Sequence, residues 1–275
     1  MTKPNRKLIY LSLIWNSISP RAGEARAKNW LWAVGLSIAL LIAWQVAVTA
    51  LQVPDIILPS PVDIMNYFIR RQALMLKHLG PTLLQTVWGF LLAVFGGVLL
   101  AILVSLTEFG KRAVMPLLVV AQIVPKIAVA PLFMLWFGLG DVSRILIAFL
   151  VAFFPMVINA ASGFNSVNRE VVLLGRAFAR SKWEFFRRIQ LPQALPYIFD
   201  GMKVSITLAI TGVIVAEFVS SQKGLGYLIM FANGQLDTVM MMTSIAVLSL
   251  MGLVLYGIVA LLGRLVVYWQ VPAGE

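Results

Sequence analysis

No charged residue occurs from Asn29 to Pro54, from Leu79 to Thr107, or from Ile145 to Asn168, runs of 26, 29 and 24 residues. A helix needs about 20 apolar residues to cross the hydrocarbon of a bilayer, so each run is long enough to span it. Backbone N–H and C=O groups in lipid must be satisfied within the segment, which restricts these runs to helices. Composition agrees: 60% of residues are hydrophobic and 12% charged, with a mean hydropathy of +0.91. The expected fold class is all-α, a polytopic membrane protein with about six transmembrane helices.

Three further spans are less uniform. The run from Val114 to Phe137 carries Pro116, Pro125 and Pro131 together with Gln122 and Lys126. A lysine at the bilayer centre costs about 2.5–3.5 kcal/mol on insertion scales, and each proline frees a carbonyl. Such a helix is expected to face protein or a watery cavity. Pro196 to Ser221 contains Lys203, Thr207, Thr211 and Glu217, and Thr238 to Gly263 is followed by Arg264. Gly89, Gly96 and Gly97 in the second span predict close backbone approach.

The connections divide by charge. Residues 1–29 form a basic arm, with Leu8 to Ile18 expected as an interfacial helix on the cytoplasmic face; a cleaved signal peptide would leave Arg21, Arg26 and Lys28 outside, against the charge rule. The transmembrane domain is expected over 30–275. Asp55 to Asp63 reads as a proline-punctuated turn, followed by a helix lying along the outer surface to Leu79. Gly138 to Ser143 reads as a tight outer turn. Residues 220–237 read as a turn followed by a short re-entrant or surface helix. With both termini inside, sixteen of the 22 Lys and Arg residues lie on the cytoplasmic side and five outside, with Lys126 in the membrane. The net charge of +11 is therefore topological, and nucleic acid is not an expected partner.

The longest basic stretch is 168–192, with Arg169, Arg176, Arg180, Lys182, Arg187 and Arg188 against Glu170 and Glu184. Leu174, Phe178, Phe185 and Ile189 recur near helical spacing and form an apolar stripe. Ser181 and Glu184 make a capping box, predicting a helix start at Lys182. Pro192 predicts its end near Gln190.

Chemistry on the chain is sparse. There is no cysteine, and His78 is the only histidine, which excludes disulfides, thiolate or His-cluster metal sites and Cys nucleophiles. A Gly-rich phosphate loop is absent. An ion-coupled secondary transporter needs intramembrane carboxylates, for which only Glu217 qualifies; an intramembrane enzyme needs converging catalytic groups, which the sequence does not offer.

From Leu58 onward the chain resembles the permease subunits of binding-protein-dependent ABC importers. Their coupling-loop signature reads E-A-A, three residues, G, nine residues, I-x-L-P. Ile189-Gln190-Leu191-Pro192 stands at the right distance from Ala179 in the glycine position, whereas Leu173, Leu174 and Gly175 replace E-A-A. With alanine at 179 the turn either avoids positive φ or carries roughly 1–2 kcal/mol of strain. Leu58-Pro-Ser-Pro61, Pro125-Lys-Ile-Ala-Val-Ala-Pro-Leu132, Leu135-Trp-Phe-Gly-Leu-Gly140, Phe153-Phe-Pro155 and Ala216-Glu217 with Gly224-Leu-Gly226 are similar to the branch importing sulfonates, taurine, nitrate, or thiamine and riboflavin precursors. The Pro-Lys-Ile-Ala form is nearest the vitamin-precursor members.

The resemblance implies the type I importer fold and a non-catalytic subunit of the inner membrane. Its implied partners are a second permease copy, two ATP-binding cassette subunits that carry the ATP and Mg, and a periplasmic binding protein. Leu174, Gly175, Phe178, Ala179, Ser181, Glu184, Phe185, Ile189, Leu191 and Pro192 would contact the ATPase, with Phe178, Trp183, Phe185 and Phe186 as exposed aromatic anchors. Gln122, Pro125, Lys126, Asn159 and Glu217 are candidates for the solute pathway. Lys126 reads equally as a cation in the pathway or as a donor to carbonyls freed by Pro125 and Pro131. Gln122 and Asn159 read either as pathway donors or as interhelical hydrogen bonders. Glu217 is expected to pair with Lys223 or another outer-end group, and His78 to be solvated or interfacial.

Overall fold

The computed structural model describes residues 20–168, 170–172 and 181–269. The helix expected over Leu8 to Ile18 lies outside them. All regular structure among the described residues is helical. Internal contacts divide the chain into two units, one ending at Met65 and one running from Asn66.

In the first unit, α1 (Pro20–Ala50) is a single helix of 31 residues that includes the first uncharged run up to Ala50. Its apolar part, Val34–Ala50, exposes Leu36, Leu40 and Leu41. The turn after it brings Ser60 to the start of α2 (Pro61–Arg70). Here stands a second capping box, which hydrophobic periodicity does not reveal. The Ser60 hydroxyl accepts from the Asp63 N–H at 3.3 Å, and the Asp63 carboxylate accepts from the Ser60 N–H at 3.2 Å.

The second unit is built on α3 (Gln72–Leu106), α6 (Asp141–Asn165) and α8 (Leu191–Ser220). The helix expected to lie along the surface to Leu79 instead breaks at Arg71, and 72–78 are the first turns of α3. Pro81 sits inside α3 and leaves the carbonyl of Lys77, an exposed residue near the start of that helix, without its helical N–H partner. α6 packs most extensively, against α8 and α3. It presents Ala148, Ala152, Ala160 and Ala161, all fully buried. An ideal Cβ at Gly89 would lie 2.5 Å from Ala148 Cβ, and one at Gly212 2.8 Å from Ala148 Cα. Three backbones therefore meet at Ala148, and small residues alone permit it. At Gly96 the space is ordinary, with Phe153 3.5 Å away. The outward face of α3, with Leu84, Trp88, Leu91, Phe95 and Leu99, is wholly apolar, as lipid requires.

The third span is broken. A π-helical turn (Gly110–Val114) leads into α4 (Met115–Ala121), a 3-10 turn covers Lys126–Val129, and α5 (Ala130–Phe137) leaves at 79° to the first half. Pro116 and Pro131 occupy first turns, where a missing N–H costs nothing. Pro125 alone makes the break.

The helix expected to stop near Gln190 does not stop. α7 (Lys182–Phe185) passes through a π-helical turn (Phe186–Gln190) into α8. In that wider turn the Leu191 N–H donates to the Phe186 carbonyl, five residues back. This places Pro192 in the first turn of α8, where a missing N–H is tolerated. α9 (Leu225–Gln235) and α10 (Thr238–Val266) complete the unit. α3, the Trp183–Ser220 rod, α6 and α10 are long and apolar enough to cross a membrane, and the bent pair makes a fifth crossing if its halves count together. The described apolar part of α1, Val34–Ala50, is shorter than these, so four or five of the about six expected spans are found among the described residues.

Candidate functional site

Leu174, Gly175, Phe178 and Ala179 lie outside the described residues. The rest of the basic segment begins at Ser181, whose hydroxyl accepts from the Glu184 N–H at 3.1 Å. The predicted N-cap is therefore present, and the Glu184 carboxylate pairs with Arg188 at 3.3 Å. The aromatic anchors divide. Trp183 is 67% exposed, as expected, but Phe185 and Phe186 are buried. Phe186 stacks between Trp183 and Phe164, with centroids 5.5 and 5.6 Å away. It belongs to the apolar cluster of Ala101, Met156, Phe164 and Ala194, against which Leu191 also packs. Ile189 and Pro192 are half-buried. Of the expected apolar stripe, Phe185 is buried and Ile189 half-buried, and Leu174 and Phe178 lie outside the described residues.

At the break in the third span, the Lys126 ammonium donates to the Gln122 carbonyl at 2.8 Å and lies 5.1 Å over the Phe154 ring. In an unbroken helix that carbonyl would accept from the Lys126 N–H; the side chain replaces it. Pro125 is exposed beside it. Asn159 stands apart, donating to the Pro155 carbonyl at 2.8 Å, with Gly201 against its Cβ. Gln122, Pro125 and Lys126 therefore share one place, and Asn159 is occupied within α6.

Of the partners expected for Glu217, Lys223 or another outer-end group, Lys223 is not the one it takes. Lys223 pairs with Asp141 at 2.9 Å, because Glu217 is 1% exposed and points inward from α8. Its carboxylate accepts from the Thr82 hydroxyl at 2.8 Å and from the Gly226 N–H at 2.7 Å. Thr82 accepts in turn from the Leu225 N–H at 2.8 Å, and His78 Nδ1 lies 3.1 Å from the Gly224 N and 3.2 Å from the Gly224 carbonyl, accepting from the one or donating to the other according to its tautomer. His78 is thus buried rather than interfacial, stacked on Tyr227 at 5.7 Å. Gly224 has φ of 110°, and a Cβ there would collide with the Glu217 carboxylate. Arg144, also buried, donates to Asp141 at 3.0 Å and to the Leu139 and Ser220 carbonyls at 2.8 and 3.0 Å. Gln85 reaches the same Asp141 oxygen at 2.9 Å. Thr82, Arg144, Asp141 and Gln85 were not singled out from sequence. The signal available was His78 and Thr82 one helical turn apart, opposite the Gly-Leu-Gly run.

The family described as "Binding-protein-dependent transport system inner membrane component" matches residues 93–273. The riboflavin transport system permease protein RibX of Chloroflexus aurantiacus is 36% identical over 258 residues, covering 92% of this chain and 96% of the relative. The formylaminopyrimidine transport permease protein ThiX of Halalkalibacterium halodurans is 32% identical, over 84% and 92% of the two chains. The putative aliphatic sulfonates transport permease protein SsuC of Bacillus subtilis is 33% identical, over 88% and 90%. Among solved structures, a chain of the inward-facing MetNI methionine ABC transporter superposes with a TM-score of 0.59 at 16% identity, covering 72% of this chain and 98% of that one, which supports the fold. The match over most of the second unit and the full-length relatives agree with the helical order and the broken span: the chain belongs to the family of inner-membrane permease components of binding-protein-dependent transport systems.

Proposed function

We propose that this permease carries a small polar or anionic organic solute, delivered by a periplasmic binding protein, and that residues 168–192 link it to two separate ATP-binding subunits. The relatives are named for riboflavin, formylaminopyrimidine and aliphatic sulfonates, and the Pro125 to Ala128 run favours the vitamin-precursor side of that set. A second copy of the chain completes the pathway. Both termini lie in the cytoplasm, following the charge asymmetry. The chain binds no cofactor of its own; ATP and Mg belong to the partner subunits.

One observation carries the coupling assignment. The Lys182–Phe185 helix exposes Trp183, while Phe186, which follows it directly, is seated in the bundle core, and the helix continues without interruption into α8. A push on Trp183 is therefore delivered to a rod of 38 residues, Trp183–Ser220, rather than absorbed by a loop. Lys126 is assigned to the break itself, where it holds the Gln122 carbonyl, and it meets the solute only as part of that bend.

The test is reconstitution of the chain in proteoliposomes with its ATPase and binding protein. ATP-dependent uptake should stop with a non-hydrolysable nucleotide, and Trp183→Cys should cross-link to the ATPase through a short thiol reagent. Uptake without the ATPase, driven by an ion gradient, would refute the assignment.

A further inference from the structure

The N-terminus of α9 has no cap of its own. Gly224 precedes it with no side chain to offer, and the N–H groups of Leu225 and Gly226 are taken by side chains from distant helices, Thr82 and Glu217, while His78 Nδ1 meets Gly224 at its N (3.1 Å) and its carbonyl (3.2 Å), bonding one or the other according to its tautomer. Helix starts are ordinarily capped by the residue just before the helix. Here α3 and α8 supply the partners, and the Glu217 carboxylate fills the space over both Gly224 and Gly226. Met75 of α3 and Leu225, Leu228 and Ala232 of α9 close an apolar cluster beneath them.

We infer that His78, Thr82 and Glu217 form a clasp that fixes α9 to α3 and α8 as one body, so that α9 moves with the bundle and is not an independent flap. Glu217 acts in it as a hydrogen-bond acceptor, not as an ion-coupling carboxylate. It is a positioning residue, acting on transport through α9. The distinction has a chemical consequence. The clasp asks Glu217 to accept from an N–H and to satisfy the Thr82 hydroxyl, and a neutral amide does both. In Glu217→Gln the amide oxygen would accept from Gly226 while the NH2 donates to Thr82 Oγ, whose proton turns to the His78 carbonyl already 3.3 Å away. Alanine can do neither. In the same way Thr82→Ser keeps the relay, and Thr82→Val leaves the Leu225 N–H without its acceptor and one Glu217 carboxylate oxygen without its donor, while the other still accepts from the Gly226 N–H.

Because the chain has no native cysteine, a single one placed at buried Leu228 reports release of α9. The experiment uses the assembled importer in proteoliposomes, with Leu228→Cys alone as parent, and reads maleimide labelling and ATP-driven uptake. Glu217→Ala and Thr82→Val should raise labelling about tenfold and lower solute taken up per ATP hydrolysed, since each strands buried partners. Glu217→Gln and Thr82→Ser should stay within about twofold of parent in both readouts. If Glu217→Ala fails to assemble, the Thr82 pair decides. Loss of uptake in Glu217→Gln with labelling unchanged would overturn the inference in favour of a charge-dependent role. Unchanged labelling in both Glu217→Ala and Thr82→Val would overturn it by showing that α9 is held by other contacts. Labelling does not depend on the solute, so failure of the clasp is distinguishable from failure of the transport assignment.

Discussion

Replacing Gly89 by alanine tests whether Ala148 is the point at which α3, α6 and α8 are jammed together. The added methyl would lie 2.5 Å from Ala148 Cβ, whereas carbon atoms settle at about 3.5–4.0 Å, so about 1 Å of separation is required. Ala148 cannot retreat, because the Gly212 position of α8 lies against its Cα from the other side. Overpacking of this kind costs about 1–3 kcal/mol, offset by up to about 1 kcal/mol from the better helix propensity of alanine. A net loss of about 1–2 kcal/mol should lower Tm by roughly 2–8 °C, read by tryptophan fluorescence in detergent at one fixed scan rate. The decisive variant is Ala148→Gly. Alone it costs about 1–2 kcal/mol, from the lost methyl and from glycine in a helix. Combined with Gly89→Ala it removes the methyl that clashes, and the pair should be more stable than the two single effects predict by about 1–2 kcal/mol. Relief is incomplete because the Ile145 carbonyl stays 3.0 Å from the new methyl. With Gly212→Ala the same replacement gives no relief, since there the conflict is with Ala148 Cα, which glycine retains. Equal rescue of both glycine variants, or a Gly89→Ala protein as stable as the parent, would refute three-helix contact at Ala148.

Other consequences follow from the same geometry. Trp183→Ala should leave Tm within about 2 °C while weakening association with the ATPase, measured by co-purification; Phe186→Ala should cost about 3–5 kcal/mol, because it empties a core position. Lys126→Met should disturb the bend and reduce uptake while assembly with the ATPase persists, and Lys126→Arg, which still reaches a carbonyl, should retain most uptake; equal loss in both would assign the ammonium to the solute instead. Arg144→Met strands the Leu139 and Ser220 carbonyls and leaves Asp141 to Lys223 and Gln85, a loss of about 2–4 kcal/mol visible as a lower Tm.

The legible part of this molecule was set by charge and proline, and the illegible part by pairing between distant helices. Runs without charge located the spans because lipid penalises every charge in the same way wherever it falls in sequence. Ser181 and Glu184 located a helix start because capping is local. Pro192 misleads, since a proline stops a helix only if the preceding turn keeps its usual width; the π turn after Phe185 widens it, and Phe186 at its start stacks on Phe164. Of the two alternatives for Glu217, Lys223 or another outer-end group, Lys223 is drawn to Asp141, and Glu217 reaches Thr82, 135 residues away, a partner that sequence proximity does not reveal.

Both findings bear on the coupling proposed above. A helix that ended at Gln190 would make the basic segment a hinged attachment, whereas the continuous rod joins exposed Trp183 at one end to the clasped Glu217 at the other. Motion imposed on the first must then reach α9 with no loop between them. A glycine pair inserted after Gln190 separates these cases: the rod requires uptake to fall while ATPase binding through Trp183 survives, and a hinged attachment would tolerate the insertion in both.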